Sequence, residues 1–492
     1  MTRLPYSFAK ENKFIILEIG NEIFLQYSDV SDLNLIPEIL RLHSNITKFE
    51  EISLDKFDAV LTEYYRGGGL NADIEEEISE KDKLYNALQG AEQSADLLDS
   101  DNDAPIVRLV NSLFDEAVNS EASDIHLEPF ENNIAVRLRV DGVLNEIASL
   151  SSKLAPYLVS RIKVMSKLDI AEKRLPQDGR LSVSLGKKII DVRVSTLPIR
   201  NGERVVMRIL DKENALIGFD ELGMSKNIKL NFQKSLKEPN GIIFVTGPTG
   251  SGKTTTLYAA LDLINDKFRN IITVEDPIEY AINGISQTQV NSKVGMSFAA
   301  GLRSILRQDP DVVMVGEIRD KETAEIAVQA SLTGHLVLST MHTNSASSAL
   351  ARLTDMGIEP FLISSSIKAI LAQRLVRKLC DNCKALDDDV ASQNKFKELA
   401  KKHLIKENKI FKSVGCNYCQ AAGYKGRLGI YELISIDEEI KKKIYNGVSE
   451  QEIEDYCFKK TENMESNAVN AVANGLTTIE EIYRVIKFNE YV

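Results

Sequence analysis

The nine residues GPTGSGKTT, Gly247 to Thr255, constrain this 492-residue chain more than any other stretch. They carry the pattern GxxxxGK[ST] through Gly247, Gly252, Lys253 and Thr254, with the strand-like GIIFVT before them and the helical TTLYAALDLI after. Strand, glycine loop and helix in that order are the context the pattern needs. Glycines let backbone N–H groups turn inward around an anion, and the helix N-terminus adds positive potential. Lys253 is placed to reach terminal phosphates, and Thr254 to ligate magnesium. The alternative, a casual glycine-rich turn, would need four fixed positions to coincide by chance, roughly a few per cent for ordinary glycine content. The loop Gly247, Pro248, Thr249, Gly250, Ser251, Gly252, Lys253, Thr254 and Thr255 is therefore the expected nucleotide site.

Around that loop, from about 220 to 375, β-branched runs alternate with helical stretches: GIIFVTG, NIITVED, DVVMVGE and HLVLSTMHT. Such alternation implies a mostly parallel sheet flanked by helices. The rest of the chain divides around this core, and its length suits about three or four domains. Residues 1 to 65 read as a small α/β module, and 66 to 103 as an acidic linker or, equally, a solvated helix. Residues 104 to 212 form a second module, with a helix (IVRLVNSLFDEAVNS), a hairpin turning at Asp141-Gly142, and the strands KIIDVRVSTLPI and RVVMRIL. Residues 376 to 430 hold two cysteine pairs. The tail, 431 to 492, reads as helical, with Ser449/Glu452 and Thr478/Glu481 spaced as capping boxes.

Net charge is −12, which argues against a broad basic nucleic-acid surface. No apolar run approaches the ~20 residues of a membrane span. The N-terminal MTRLPYSFAKENK lacks a signal-peptide core, so a cytoplasmic protein is expected.

The segment DVVMVGEIRD resembles a magnesium-binding strand of an ATPase, yet Val312–Val315 run into Gly316 and Glu317 where an aspartate is usual. Parallel strands put their C-terminal ends on the ligand side. Glu317 is accordingly expected to act on magnesium, directly or through water, with Gly316 leaving room for a close approach. A second acidic cluster, Glu275, Asp276 and Glu279 in VEDPIEY, ends another strand. Glu275 or Glu279 would orient or deprotonate the attacking water. His342 should reach the same edge and report the γ-phosphate, with a purely structural histidine as the alternative; His335 is read as a framework residue.

Cys380, Cys383, Cys416 and Cys419 form CxxC…CxxC, the two-knuckle arrangement of a closed tetrahedral zinc site. A redox CxxC is the alternative. Cys457 is read as a small core residue.

Together the glycine loop, TVEDPIE, VGEIRD and TGHLVLSTMHTN resemble the secretion ATPase superfamily that includes type II secretion and type IV pilus motors. The resemblance continues through ASDIHLEPFE, VRLRVDGVL, RLPQDGR and DVRVSTLP upstream, and QRLVRKLCDNC and GCNYCQAAGYKGRLGIYEL downstream, covering roughly residues 104 to 435. In that superfamily the Gly-Glu ending is normal. The resemblance implies a RecA-like P-loop core, a preceding PAS-like domain, a zinc subdomain, and a cytoplasmic homo-hexamer that hydrolyses ATP with Mg²⁺. It also implies that Arg193 and Arg208 act as arginine fingers from the second module; Arg139, Arg174, Arg180 and Arg204 rank lower. The four cysteines and extended N-terminus point to the assembly branch. The single small N-terminal domain favours type II secretion, driving pseudopilus assembly, over pilus extension or DNA uptake. Partners would be cytoplasmic parts of inner-membrane secretion components of the L and F types, giving peripheral membrane association. A nucleic-acid translocase and a non-catalytic zinc adaptor are the remaining alternatives, disfavoured respectively by the acidic charge and by the intact Lys253 and Glu317.

Overall fold

Runs of β-branched residues pair their backbones into four sheets among the described residues of a computed structural model. Those residues are 12–19, 22–28, 31, 35–42, 46, 48–53, 56–57 and 104–488, without 186–187, 211–216, 407 and 460. The expected acidic linker, 66–103, and the opening residues 1–11 lie outside them. The chain divides into two units, Met1–Ser94 and Ala95–Val492.

In the first unit β1 (Phe14–Ile19) pairs antiparallel with β2 (Glu22–Ser28), and β3 (Lys48–Ile52) lies parallel to β2. Ile39 of the helix Ile36–Leu42 joins Phe14, Ile15, Leu25 and Phe57 in a small core.

The second unit opens with the helix Ala104–Asn119 and a six-stranded antiparallel sheet. Its strands are β4 (Asp124–Pro129), β5 (Asn133–Val140), β6 (Val143–Ser151), β7 (Gln177–Leu185), β8 (Lys188–Ile199) and β9 (Gly202–Leu210), in the order β6-β5-β4-β9-β8-β7. The β5–β6 hairpin turns at Asp141 and Gly142, with φ of 47° and 83°. Positive φ at both central residues matches the strand twist, and Asp-Gly tolerates it.

The large sheet comprises β10 (Gly241–Thr246), β11 (Ile271–Glu275), β12 (Ser286–Gln289), β13 (Val312–Val315), β14 (Leu336–Met341), β15 (Ile367–Leu379) and, after the short pair β16 (Ala385–Leu386) and β17 (Phe411–Lys412), β18 (Tyr424–Ser435). The order is β12-β11-β13-β14-β10-β15-β18. All neighbours are parallel except β18, which runs antiparallel along β15. Both faces are covered. Phe244, Val274, Val315 and Val337 pack into one apolar layer, whereas Ile243, Val245, Met314 and Leu338 pack into the other with Phe232 and Tyr258. Burial on two faces is why these strands read as continuous apolar runs rather than alternating ones.

The four-cysteine insertion, with β16, β17 and the helix Val390–Lys402, sits between the ends of β15 and β18. Since both flanking strands belong to the large sheet, they run across positions 376 and 430, where the sequence suggested subdomain limits. Four helices follow, Glu438–Tyr445, Glu450–Cys457, Met464–Ala473 and Ile479–Val485. Ser449 and Thr478 cap as expected, accepting from Glu452 N and Glu481 N. The reciprocal half of the second capping box is absent, because the Glu481 carboxylate is taken by Arg377 and Arg484. No helix among the described residues is long and apolar enough to cross a membrane.

Candidate functional site

The glycine loop leaves β10 at the C-terminal edge of the parallel strands and enters the helix Lys253–Ile264. Gly247 has φ 149°, and a Cβ there would meet Ser251 Oγ at 2.5 Å and Gln373 O at 2.6 Å. Gly252, at φ 84°, occupies the left-handed N-cap of the helix. Only glycine fits both demands without strain. Pro248, Thr249, Gly250 and Thr254 are exposed, Gly252, Lys253 and Thr255 half-buried, and Gly247 and Ser251 buried. The loop is therefore anchored at its base and open at its rim. Lys253 Nζ donates to Gly247 O at 2.9 Å and Pro248 O at 3.0 Å, which curls the loop around the ammonium. Burial lowers Lys253 to about 8; the Glu317 carboxylate opposes that shift and Arg374 adds to it.

Glu317 lies just beyond β13, with a side chain 11% exposed. It contacts Arg319 Nε at 2.5 Å, and its Oε2 is 3.5 Å from His342 Nε2, just beyond β14. Two neighbouring strand ends thus bring Glu317 and His342 together on the side of Lys253. Burial, then the Lys253 charge, holds His342 below the usual imidazole value, with Glu317 pulling it up. His335 is at the opposite end of β14, held by Ala330 O at 2.9 Å. Gly316 does make room, but for the fold: a Cβ there would meet Phe298 Cε1 at 3.2 Å and Glu275 Cα at 3.4 Å.

The other acids separate. Glu275 is 3% exposed and accepts hydrogen bonds from Tyr258 Oη, from Thr273 Oγ1 at 2.5 Å and from Gln287 Nε2 at 3.1 Å. Its oxygens are engaged inside the protein. Glu279 is more open and lies 3.3 Å from Arg193 Nη2, which also donates to Ile278 O at 3.0 Å. Arg193 therefore crosses from the six-stranded sheet to the loop after β11. Arg208 stays in its own sheet, 3.0 Å from Asp124. Arg204 is held by Glu128.

Several residues that the motifs do not mark shape the site. Gln373, 1% exposed on β15, donates to Ser251 O at 2.5 Å and clamps the loop from beneath. Arg374 donates to Asn344 O at 2.7 Å, holding the segment after His342. The signal for both was available: QR interrupts the otherwise apolar run AILAQRLV. Tyr258 and Gln287 had no comparable signal.

A second centre lies in the insertion. The four Sγ atoms of Cys380, Cys383, Cys416 and Cys419 all fall within 4.8 Å of one another. Cys380–Cys416 and Cys383–Cys419 are 3.8 Å apart, and Cys416–Cys419 3.7 Å. A tetrahedron with Zn–S bonds of ~2.3 Å has S···S edges of about 3.8 Å, so these residues could hold zinc. The N–H groups of Gly415 and Gly423 donate to Cys383 and Cys419 sulfurs at 3.3 and 3.2 Å, as thiolate ligands require. Cys457 is buried elsewhere, on the helix Glu450–Cys457.

Residues 99–484 match the family described as type II/IV secretion system protein, and residues 3–65 match a second family, an N-terminal domain of GSPII protein E. The chain is 49% identical over 492 residues to the type II secretion system ATPase E of Vibrio cholerae serotype O1, covering 99% of this chain and 97% of the relative. It is 48% identical over 489 residues to the type II secretion system protein E of Aeromonas hydrophila, again covering 99% and 97%. Among solved structures, the pilus retraction motor PilT with bound ADP is similar at a TM-score of 0.52 and 27% identity, over 76% of this chain and 95% of that one. The Legionella pneumophila ATPase DotB shares the fold at a TM-score of 0.57 and 20% identity, over 76% and 94%.

Proposed function

The chain belongs to the type II/IV secretion system protein family, and we propose that it is the ATP-hydrolysing motor of a type II secretion system, driving pseudopilus assembly as a cytoplasmic homo-hexamer. The observation that carries this reading is the meeting of Lys253, Glu317 and His342 beside an open glycine loop at the C-terminal edge of the parallel strands.

In this reading the loop N–H groups and Lys253 bind the phosphates of ATP. The exposed Thr254 hydroxyl and the Glu317 carboxylate hold the magnesium ion, which neutralises charge on the phosphate oxygens. His342, beside Glu317, senses the γ-phosphate by hydrogen bonding. Glu279, the more open of the two acids after β11, orients the attacking water, while Glu275 fixes the loop that carries it. Arg193 and Arg208 supply positive charge from the second module to the transferring phosphoryl group. Closing that module on the core converts occupancy of the site into domain movement. The four cysteines hold a structural zinc. Docking to the cytoplasmic parts of L- and F-type inner-membrane components, through the N-terminal unit and the zinc subdomain, keeps the motor peripheral to the membrane.

The test is Glu317→Gln. Turnover should fall at least about 100-fold, with Mg·ATP affinity within a few-fold of wild type. Normal turnover in that variant would remove Glu317 from the chemistry. Rate per chain should also rise with protein concentration as the ring assembles; a rate independent of concentration would count against the hexamer.

A further inference from the structure

The segment after His342 is gripped from the C-terminal side of the fold. Arg374 holds Asn344 O. Ala346, the N-cap of the helix Ser347–Asp355, has no side-chain cap of its own, and its N–H donates to Glu432 Oε1 at 2.8 Å. The other oxygen of the same carboxylate accepts from Met464 N at 3.1 Å, the first residue of the helix Met464–Ala473. Ser347 Oγ donates to Glu454 on the helix Glu450–Cys457. Glu432 itself is on β18 and 5% exposed. One buried carboxylate therefore satisfies the leading amides of two helices, one leaving the nucleotide edge and one belonging to the C-terminal bundle. Leading helix amides lack intrahelical acceptors, and an ionised acceptor makes the stronger bond to them.

We propose that Glu432, assisted by Glu454, is a positioning residue for ATP hydrolysis: it ties the segment that carries His342 to the C-terminal helices, so that His342 keeps its place beside Glu317 only while those helices are docked. This rests on the reading of His342 as the γ-phosphate sensor. A glutamine at 432 offers one acceptor and turns an NH₂ group toward the other N–H, so one of the two grips is lost. The C-terminal helices then no longer report to the nucleotide edge.

The experiment is a double-mutant cycle on the full chain, with kcat and KM for Mg·ATP measured for wild type, Glu432→Gln, His342→Ala and the double variant. Glu432→Gln should lower kcat about tenfold with KM within about twofold, and the double variant should be no slower than His342→Ala alone. Wild-type kcat in Glu432→Gln, or a double variant slower than His342→Ala by the full Glu432→Gln factor, would overturn the proposal while leaving His342 in its role. Wild-type kcat in His342→Ala would refute the sensor and the proposal with it. If Glu432→Gln does not fold, the half-buried Glu454→Ala takes its place in the same cycle, read by the same non-additivity with a smaller single-variant effect.

Discussion

Arg193 and Arg208 are direct cross-strand partners on β8 and β9, yet they are committed to different places. Arg193 holds the carbonyl of Ile278 and faces Glu279 in the ATPase core, whereas Arg208 is held by Asp124 and is 59% exposed. One of the pair is already engaged with the core of its own chain. The other can reach a phosphate only after leaving Asp124.

This division predicts different concentration dependence for the two substitutions. Arg193→Ala should reduce the ATPase rate at every protein concentration, by about tenfold or more. Arg208→Ala should leave the residual rate of dilute protein near wild type and remove the gain on assembly, a loss on the order of 10³-fold at full assembly. The check is the rate per chain against protein concentration for both variants. Identical curves would show that the two arginines act as a unit.

The insertion should carry one zinc per chain, measurable by elemental analysis. Cys416→Ser should lose the metal and the hydrogen-exchange protection of residues 380–423, because a structural site contributes its binding energy to folding. The P-loop is anchored by Gln373 and its own lysine, not by the cysteines. Nucleotide affinity should therefore stay within about twofold. Full protection without zinc would instead make the cysteines a packing cluster.

The parallel core was legible because burial on both faces leaves a plain apolar run, and because the glycine loop marks which strand comes first at the site. The cysteine spacing foretold the cluster of four sulfurs. What could not be read was how equivalent-looking acids divide. Glu275 and Glu279 sit four residues apart in one motif, and only tertiary contacts turn the first inward to Tyr258 and leave the second with Arg193. Glu432 was invisible for a similar reason. Its partners, Ala346 and Met464, are backbone amides 86 and 32 residues away, and no side-chain pattern encodes them.

The C-terminal helix Ile479–Val485 is pinned to β15 by Glu481, whose side chain is 1% exposed. Burial alone would raise this carboxyl, but hydrogen bonds from Arg484 and Arg377 outweigh burial and hold it below its usual 4.5. A depressed carboxylate contributes stability that is complete above the unfolded value and lost as pH falls through the folded value. Glu481→Gln should thus destabilise the protein at pH 7 by about 3–5 kcal/mol, the cost of leaving buried arginine without its partner. The gap between variant and wild type should narrow below pH 4.5 in urea unfolding. A gap that is constant with pH would assign the effect to shape rather than charge.

Tyr258 supplies the last test, because it links the phosphate loop to the loop that Arg193 grips. It lies on the helix that begins at Lys253, and its hydroxyl donates to Glu275 while accepting from Glu279 N and Gln287 Nε2, both at 3.4 Å. Tyr280 packs edge-on against its ring at 4.6 Å. Burial, then the bond to Glu275, raises the phenol far above its ordinary value, so it remains a donor at any working pH. Tyr258→Phe keeps the ring and removes the donor. Glu275 retains Thr273 and Gln287, so the cost should be about 1–3 kcal/mol, or a few degrees in apparent Tm. The functional effect should exceed what that loss implies. With the Asp276–Tyr280 loop released from the helix, Ile278 and Glu279 no longer present a fixed edge to Arg193, and kcat should fall about tenfold with KM little changed. Combined with Arg193→Ala, the second substitution should add little, since both remove the same connection. If the two effects multiply in full, Tyr258 serves Glu275 alone, and the route from the second module into the site does not pass through it.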